Sequence, residues 1–205
     1  MKGEKPIKLY VFDADGTLRG CTVPGQPCPN RAGEWELLPG VRERLAQVAW
    51  DERAGPHFAV ATNQGGVGLG YFTAAEARAL VVALVEAAFG RAAPPGSIEI
   101  CTHAPYARCA CRKPKGEMIR RLMRRFRALP EETLYVGDMD TDREAARDAG
   151  CRFLWAHEFF GWDVPEEIAE ATGAGVEDCA TDEALATGET RAAEETPVES
   201  DRGSR

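Results

Sequence analysis

Val11-Phe12-Asp13-Ala14-Asp15-Gly16-Thr17-Leu18 is an apolar run that ends on two carboxylates separated by a single residue. The run reads as a buried strand, and Gly16 turns the chain sharply after it, so both acids are expected to project from a strand end into a crevice. Two carboxylates in such a place are costly without a cation. They suit a reaction at phosphorus, with one acting as nucleophile and the other as proton donor. A divalent metal would then offset their mutual repulsion and that of an incoming phosphate. An acidic turn closing a strand is the plainer alternative that this stretch alone leaves open.

Working outward, strand-like and helix-like segments alternate. Residues 9–13 read as a strand, 41–53 as a helix, 58–62 as a strand, and 73–89 as a long helix opened by a Thr73 cap with Glu76 three residues on. Beyond these, 98–101 reads as a strand, 117–127 as a helix, 133–138 as a strand, 142–149 as a helix stopped by Gly150, and 152–156 as a last strand. The alternation predicts an α/β fold, a Rossmann-like, mostly parallel sheet with helices on both faces. Ligands of such sheets collect at the carboxyl ends of the strands. Asp13 and Asp15, Thr62 and Asn63, and Asp138 all fall at such ends.

A chain of 205 residues is long enough for one well-buried domain and short for two. A single domain is expected over residues 1–168, followed by a tail over 169–205. Residues 166–205 hold 12 acids against 3 basic residues, whereas residues 1–165 hold 21 against 22, so the formal net charge of −8 belongs to the tail. That tail is rich in Ala, Thr, Glu, Gly and Ser and poor in large apolar residues, and it is expected to be disordered. No stretch approaches the roughly 18 uninterrupted apolar residues of a membrane span. The first residues lack the apolar segment of a signal peptide, so a cytoplasmic location and no membrane partner are expected.

Three further stretches carry chemistry. Thr62-Asn63-Gln64-Gly65-Gly66 offers a hydroxyl, an amide and a flexible turn able to donate hydrogen bonds to phosphate oxygens. Gly137-Asp138-Met139-Asp140-Thr141-Asp142 puts three acids beside a phosphate-attracting site, which makes electrostatic sense if they hold or orient Mg²⁺. Asp142 is better suited to capping the following helix, or to supporting the site from behind, than to direct ligation. Between them, Cys101, His103, Cys109 and Cys111 supply three thiols and an imidazole within eleven residues. In a reducing compartment that clustering favours zinc over disulfides, in a loop over 101–111. Arg112-Lys113-Pro114-Lys115 follows at once, and a metal-pinned loop would hold these cations rigidly over a phosphate. Cys21, Cys28, Cys151 and Cys179, like His57 and His157, stand alone and read as ordinary side chains.

Together these residues resemble the haloacid dehalogenase superfamily of aspartate-nucleophile phosphatases. Its four motifs are matched in order by Asp13-Ala14-Asp15-Gly16-Thr17, Thr62, Lys113, and Gly137-Asp138 with Asp142, over roughly residues 7–160. The cysteine loop followed by Arg112-Lys113-Pro114, with Thr62-Asn63-Gln64, is similar more narrowly to the zinc-containing histidinol-phosphate and D-glycero-D-manno-heptose-1,7-bisphosphate phosphatase branch. The resemblance implies that Asp13 attacks phosphorus and that Asp15 serves as general acid and then base. It implies Mg²⁺ on Asp13, the backbone carbonyl of Asp15, and Asp138, and structural zinc on Cys101, His103, Cys109 and Cys111. Thr62, Asn63 and Lys113 would bind the phosphoryl group and Arg112 the substrate beyond it. Members of the branch commonly carry Arg between the two motif acids where this chain has Ala14, and the heptose enzymes tend to be basic where it has Leu69. No insertion of domain size separates the motifs, so no large cap domain is expected.

A small phosphorylated metabolite, either a sugar phosphate or bisphosphate or histidinol phosphate, is the expected substrate, with the chain a monomer. Nucleic acid is a second candidate partner. From Arg108 to Arg127 there are nine basic residues against one acid, and Arg120/Arg124 and Arg121/Arg125 are each one helical turn apart, which would suit a nucleic-acid 3′-phosphatase. A non-catalytic phosphate-binding module is a third reading, against which the retention of both motif acids argues.

Overall fold

The computed structural model describes residues 5–51 and 53–163. The acidic tail expected over 169–205, and Cys179 within it, lie outside the described residues. Five strands form a parallel sheet: β1 (Leu9–Phe12), β4 (His57–Asn63), β5 (Ile98–Cys101), β6 (Thr133–Gly137) and β7 (Arg152–Trp155), in the order β5-β4-β1-β6-β7. Before β4 come β2 (Arg19–Cys21), β3 (Trp35–Leu37) and α1 (Val41–Ala46). The remaining helices are α2 (Ala74–Phe89), α3 (Glu117–Phe126), α4 (Asp140–Ala149) and α5 (Ala156–Phe160).

The central strands read as unbroken apolar runs because both faces of the sheet are covered. On one face Phe12, Phe58, Val60, Leu134 and Val136 pack with Val41 and Leu45 of α1, Val81, Leu84 and Val85 of α2, and Phe159 of α5. On the other, Leu9, Val11, Ala59, Ala61 and Tyr135 meet Met118, Ile119 and Leu122 of α3 and Ala145 and Ala146 of α4. Each such large side chain removed from water contributes about 1.5–3 kcal/mol, so the position of β1, flanked by β4 and β6 and buried on both sides, is strongly fixed. The Thr73–Glu76 capping box opens α2 as its sequence suggests.

Two elements differ from expectation. The first helix stops at Ala46 rather than at residue 53. Trp50 is drawn inward to Tyr10, Phe58 and Phe89, its indole N–H donating to the Leu45 carbonyl at 2.9 Å, and Asp51 then closes a turn on the backbone N–H groups of Arg53 and Ala54. At the other end of the chain the last strand stops at Trp155, and the aromatics after it sit on a short helix that buries Phe159 and Phe160. Between β1 and α1 the chain forms an antiparallel flap, β2 pairing with β3, and no cap of domain size is inserted among the described residues. Among them, no helix is long and apolar enough to cross a membrane.

Candidate active site

The carboxyl ends of β1, β4 and β6 and the loop after β5 converge on one cleft of about 460 Å³. It is lined by Asp13, Asp15, Gly16, Pro27, Cys28, Thr62, Asn63, Arg112, Lys113, Asp138, Met139 and Thr141. Every phosphate-site residue expected from the sequence lies on this wall. Gly16 has a left-handed backbone (φ 84°), and a Cβ there would collide with the Asp138 carboxylate, so glycine is what lets the β1 turn approach the end of β6.

Lys113 is the centre of the site. Its ammonium, almost fully buried, lies 2.5 Å from Asp13 Oδ1 and 2.6 Å from Asp142 Oδ1, and it donates to the Tyr135 hydroxyl at 3.0 Å. Burial works against its charge, but the carboxylates of Asp13 and Asp142 outweigh burial and hold it above the ordinary lysine range. Burial pushes the Asp13 carboxyl up to about 8, with Asp142 and Asp138 adding to the effect, although Lys113 pulls the other way. Burial likewise pushes Asp138 up to about 6, against a hydrogen bond from the Thr17 hydroxyl at 2.8 Å. One ammonium does not neutralise three converging acids.

Asp13, Asp138 and Asp142 each bring an oxygen within 4.8 Å of the others. Asp142 has no oxygen to spare, since Oδ1 meets Lys113 and Tyr135 and Oδ2 accepts the backbone N–H groups of Asp138 and Met139 at 3.2 and 3.1 Å. It therefore caps α4 and braces Lys113. Asp13 and Asp138 engage protein through Oδ1, which leaves Oδ2 of each for a cation. An all-oxygen donor set with excess negative charge fits a hard divalent ion such as Mg²⁺. Asp140 is exposed and pairs with Arg143, away from this set.

The Asp15 side chain is engaged at both oxygens, Oδ1 by Arg19 Nε at 2.7 Å and Oδ2 by Gln64 Nε2 at 2.8 Å. Gln64 Nε2 also lies 3.0 Å from the Thr62 hydroxyl, tying the two motifs together. Asn63 lines the cleft and clamps the backbone of Lys113. Arg112 reaches the cleft with Nη1 buried and unpartnered. Ala14 is fully buried with Phe12, Leu18 and Val41 and takes no part in the cleft wall, and neither does the exposed Leu69.

Beside the cleft, Cys101 is the register partner of Asn63, so the cysteine loop starts where β4 delivers its polar residues. The ligand atoms of Cys101, His103, Cys109 and Cys111 lie within 4.8 Å of one another. Cys101 Sγ is 3.7 Å from Cys109 Sγ and 3.6 Å from His103 Nδ1, and Cys111 Sγ is 3.4 Å from that nitrogen. A tetrahedral zinc with bonds of roughly 2.3 Å to sulfur and 2.0 Å to nitrogen has ligand–ligand edges of about 3.5–3.8 Å. The four residues fit that ion. Burial pushes the Cys101 thiol up to about 12. Cys109, although burial raises it, is held at about 7 by the Arg112 backbone and the neighbouring thiols. A Cβ on Gly68 would run into the backbone of His103 and Ala104, so the turn after β4 packs directly on the metal loop.

The remaining expectations sort plainly. Cys21, Cys28 and Cys151 are free thiols, His57 lies against Phe126, and His157 stacks on Trp155. The basic flank is largely paired. Arg120 meets Glu117 and Asp148, Arg121 meets Glu117 and Glu99, Arg124 meets Glu117, and Arg125 donates to the Pro95 carbonyl. Arg19, Gln64 and Tyr135 are site residues that sequence reasoning did not single out. Only Gln64 carried a signal, its place directly after Thr62-Asn63.

Residues 105–156 match the family model described as haloacid dehalogenase-like hydrolase. The chain is similar to D-glycero-beta-D-manno-heptose-1,7-bisphosphate 7-phosphatase of Pseudomonas putida, 32% identical over 146 residues that make up 71% of this chain and 80% of that one. It is 27% identical to histidine biosynthesis bifunctional protein HisB of Legionella pneumophila over 77% of this chain and 43% of that one. Among solved structures it resembles D,D-heptose 1,7-bisphosphate phosphatase from B. bronchiseptica, complexed with magnesium and phosphate. The TM-score is 0.59 with 28% identity, over 78% of this chain and 89% of the other.

Proposed function

The chain belongs to the haloacid dehalogenase-like hydrolases, beside the D-glycero-beta-D-manno-heptose-1,7-bisphosphate 7-phosphatases, and from that membership we propose the part each cleft residue plays. It is a Mg²⁺-dependent phosphoric monoester hydrolase acting on a small phosphorylated metabolite. The observation that carries the residue roles is the buried contact between Lys113 and Asp13 at a strand end, with Asp138 converging on the same point.

Asp13 attacks phosphorus, and an aspartyl-phosphate forms as the bond to the leaving oxygen breaks. Asp15 gives that oxygen its proton, then takes one from the water that opens the aspartyl-phosphate. Lys113 and Thr62 bind the transferring phosphoryl group, and Lys113 stays protonated throughout because two carboxylates flank it. Mg²⁺, held by Asp13, the backbone carbonyl of Asp15 and Asp138, would offset the charge gathered by the acids and the phosphate. Cys101, His103, Cys109 and Cys111 hold structural zinc, which fixes the loop carrying Arg112 and Lys113. Asn63 acts on the phosphoryl group through Lys113.

A sugar phosphate or bisphosphate is the substrate we favour. The relatives named above support it, as does Arg112, whose side chain lines the cleft and suits an oxygen of the substrate beyond the phosphoryl site. Histidinol phosphate is the alternative drawn from the more distant relative. A nucleic-acid 3′-phosphatase is disfavoured because the arginines that would track a backbone are engaged with Glu99, Glu117 and Asp148.

A panel of heptose 1,7-bisphosphate, histidinol phosphate, simpler sugar phosphates and 3′-phosphorylated oligonucleotides, assayed with Mg²⁺, tests this reading. A sugar phosphate should be turned over best, and Asp13→Asn should lose about 10³-fold or more with its fold retained. Substantial hydrolysis by that variant would sink the nucleophile assignment.

A further inference from the structure

Arg19 is fully buried, an unusual state for the residue type. It opens β2 of the flap four residues after Asp15, and its Nε donates to Asp15 Oδ1 at 2.7 Å. Nη1 lies 3.4 Å from the Leu80 carbonyl of α2, and the guanidinium sits 5.8 Å from the ring centroid of Trp35 in β3. Nη2 is buried without a partner.

Stability alone does not account for a cation in this place. A buried ion pair is commonly no better than apolar packing of the same volume, and an unsatisfied N–H adds a further penalty. An apolar side chain between Trp35 and Leu80 would avoid both costs. What it would not do is hold Asp15, whose carboxylate still reaches the cleft.

The two donors on Asp15 are unequal. Arg19 is charged, permanently protonated and wedged between the flap and α2, whereas Gln64 is neutral and shares its amide between Asp15 Oδ2 and the Thr62 hydroxyl. Oδ1 is therefore committed as an acceptor, and Oδ2 is the oxygen free to carry a proton. Resting on the phosphatase reading above, we propose that Arg19 is a positioning residue: it pins Oδ1 of Asp15, so that Oδ2 delivers the proton to the leaving oxygen and later takes one from the attacking water. The same contact makes the seating of the flap, through Trp35, part of the placement of the acid.

The proposal separates substrates by their leaving group. An alkyl or sugar phosphate needs a proton from Asp15 as its bond to phosphorus breaks, whereas p-nitrophenolate leaves without one. In Arg19→Met, kcat/KM for a sugar phosphate should fall about ten- to hundredfold and that for p-nitrophenyl phosphate far less, under about threefold. Arg19→Lys, which restores a charged donor, should recover most of the sugar phosphate activity. Equal losses on both esters, no loss on the sugar phosphate, or a lysine variant no better than methionine overturns the assignment. Where the methionine variant does not fold, Arg19→Gln carries the same two-ester comparison, with the same split expected and equal losses again overturning it. Wild-type enzyme inactive on both esters would instead remove the phosphatase reading itself.

Discussion

Asn63 grips Lys113 by its backbone from both sides: the side-chain amide donates to the Lys113 carbonyl at 3.3 Å, and its oxygen accepts the Lys113 N–H at 3.1 Å. The end of β4 thus sets the height at which the ammonium meets Asp13, across 50 residues of sequence. Asn63→Ala removes both bonds and is expected to cost about 1–3 kcal/mol of stability, read from the urea midpoint. A displacement of about 1 Å at Lys113 is enough to cost on the order of 100-fold in turnover, so kcat should fall well beyond what the stability loss explains. Unchanged kcat in a folded Asn63→Ala protein would show that the clamp does not position the lysine.

Asp142 is saturated by donors, with Lys113 and Tyr135 on one oxygen and two backbone N–H groups on the other. Asn at this position must turn an NH₂ toward either the ammonium or the backbone donors, leaving a buried clash of like partners. Asp142→Asn should therefore destabilise the fold by about 3–5 kcal/mol, the range for breaking a buried pair, and abolish turnover even where the protein remains folded. Thermal unfolding beside a kcat measurement checks this. A variant of wild-type stability would mean that the carboxylate does not brace Lys113.

The parts of this site that were legible in the sequence are those where chemistry and position coincide. Asp13 and Asp138 follow unbroken apolar runs, so their place at strand ends could be read directly, and four zinc-type ligands within eleven residues declare themselves. Arg19 was hidden because a charged residue reads as solvated. Its burial depends on Leu80 of α2 and on Trp35, which is brought in by a flap of two three-residue strands too short to show alternation. Tyr135 read only as one more apolar strand position, although its hydroxyl supports Lys113. The early end of α1 was equally illegible, since Trp50 leaves helical periodicity to fill a gap between Tyr10 and Phe89.

Metal-free protein should lose stability as pH rises. Asp13 is pushed up to about 8 chiefly by burial and Asp138 to about 6 for the same reason, while both start from 3.8 as unperturbed groups. Between those values the folded chain keeps protons that the unfolded chain has released, so this contribution is complete below about pH 4, falls as pH rises from there, and is gone once pH has passed 6 for Asp138 and 8 for Asp13. Mg²⁺ takes the ionised carboxylates and restores what is lost. The rise in Tm on adding Mg²⁺ to zinc-replete protein should accordingly be larger at pH 8 than at pH 5.5. A rise independent of pH, or larger at the acid end, would contradict the placement of the ion on Asp13 and Asp138.

Zinc should act on catalysis only through the loop it closes. Between Cys101 and Lys113 the backbone is held by few bonds of its own, two of them the short turns from Ala107 to Ala104 and from Cys109 to Ala107, with the Lys115 ammonium reaching the Cys109 carbonyl. Four metal–ligand bonds are then the main restraint on the segment that delivers Arg112 and Lys113 to the cleft. Elemental analysis of protein purified without chelators should find one zinc per chain, and Cys111→Ser or chelation should lower it. The stripped protein should show new protease cleavage within residues 102–116, a lower Tm and a loss of turnover that added Zn²⁺ restores and added Mg²⁺ alone does not. Because the parallel sheet is complete without this loop, the far strands β6 and β7 should keep their hydrogen-exchange protection while the loop loses its own. Full activity in zinc-free protein would separate the metal from the positioning of Lys113 and leave Asn63 as the clamp that sets it.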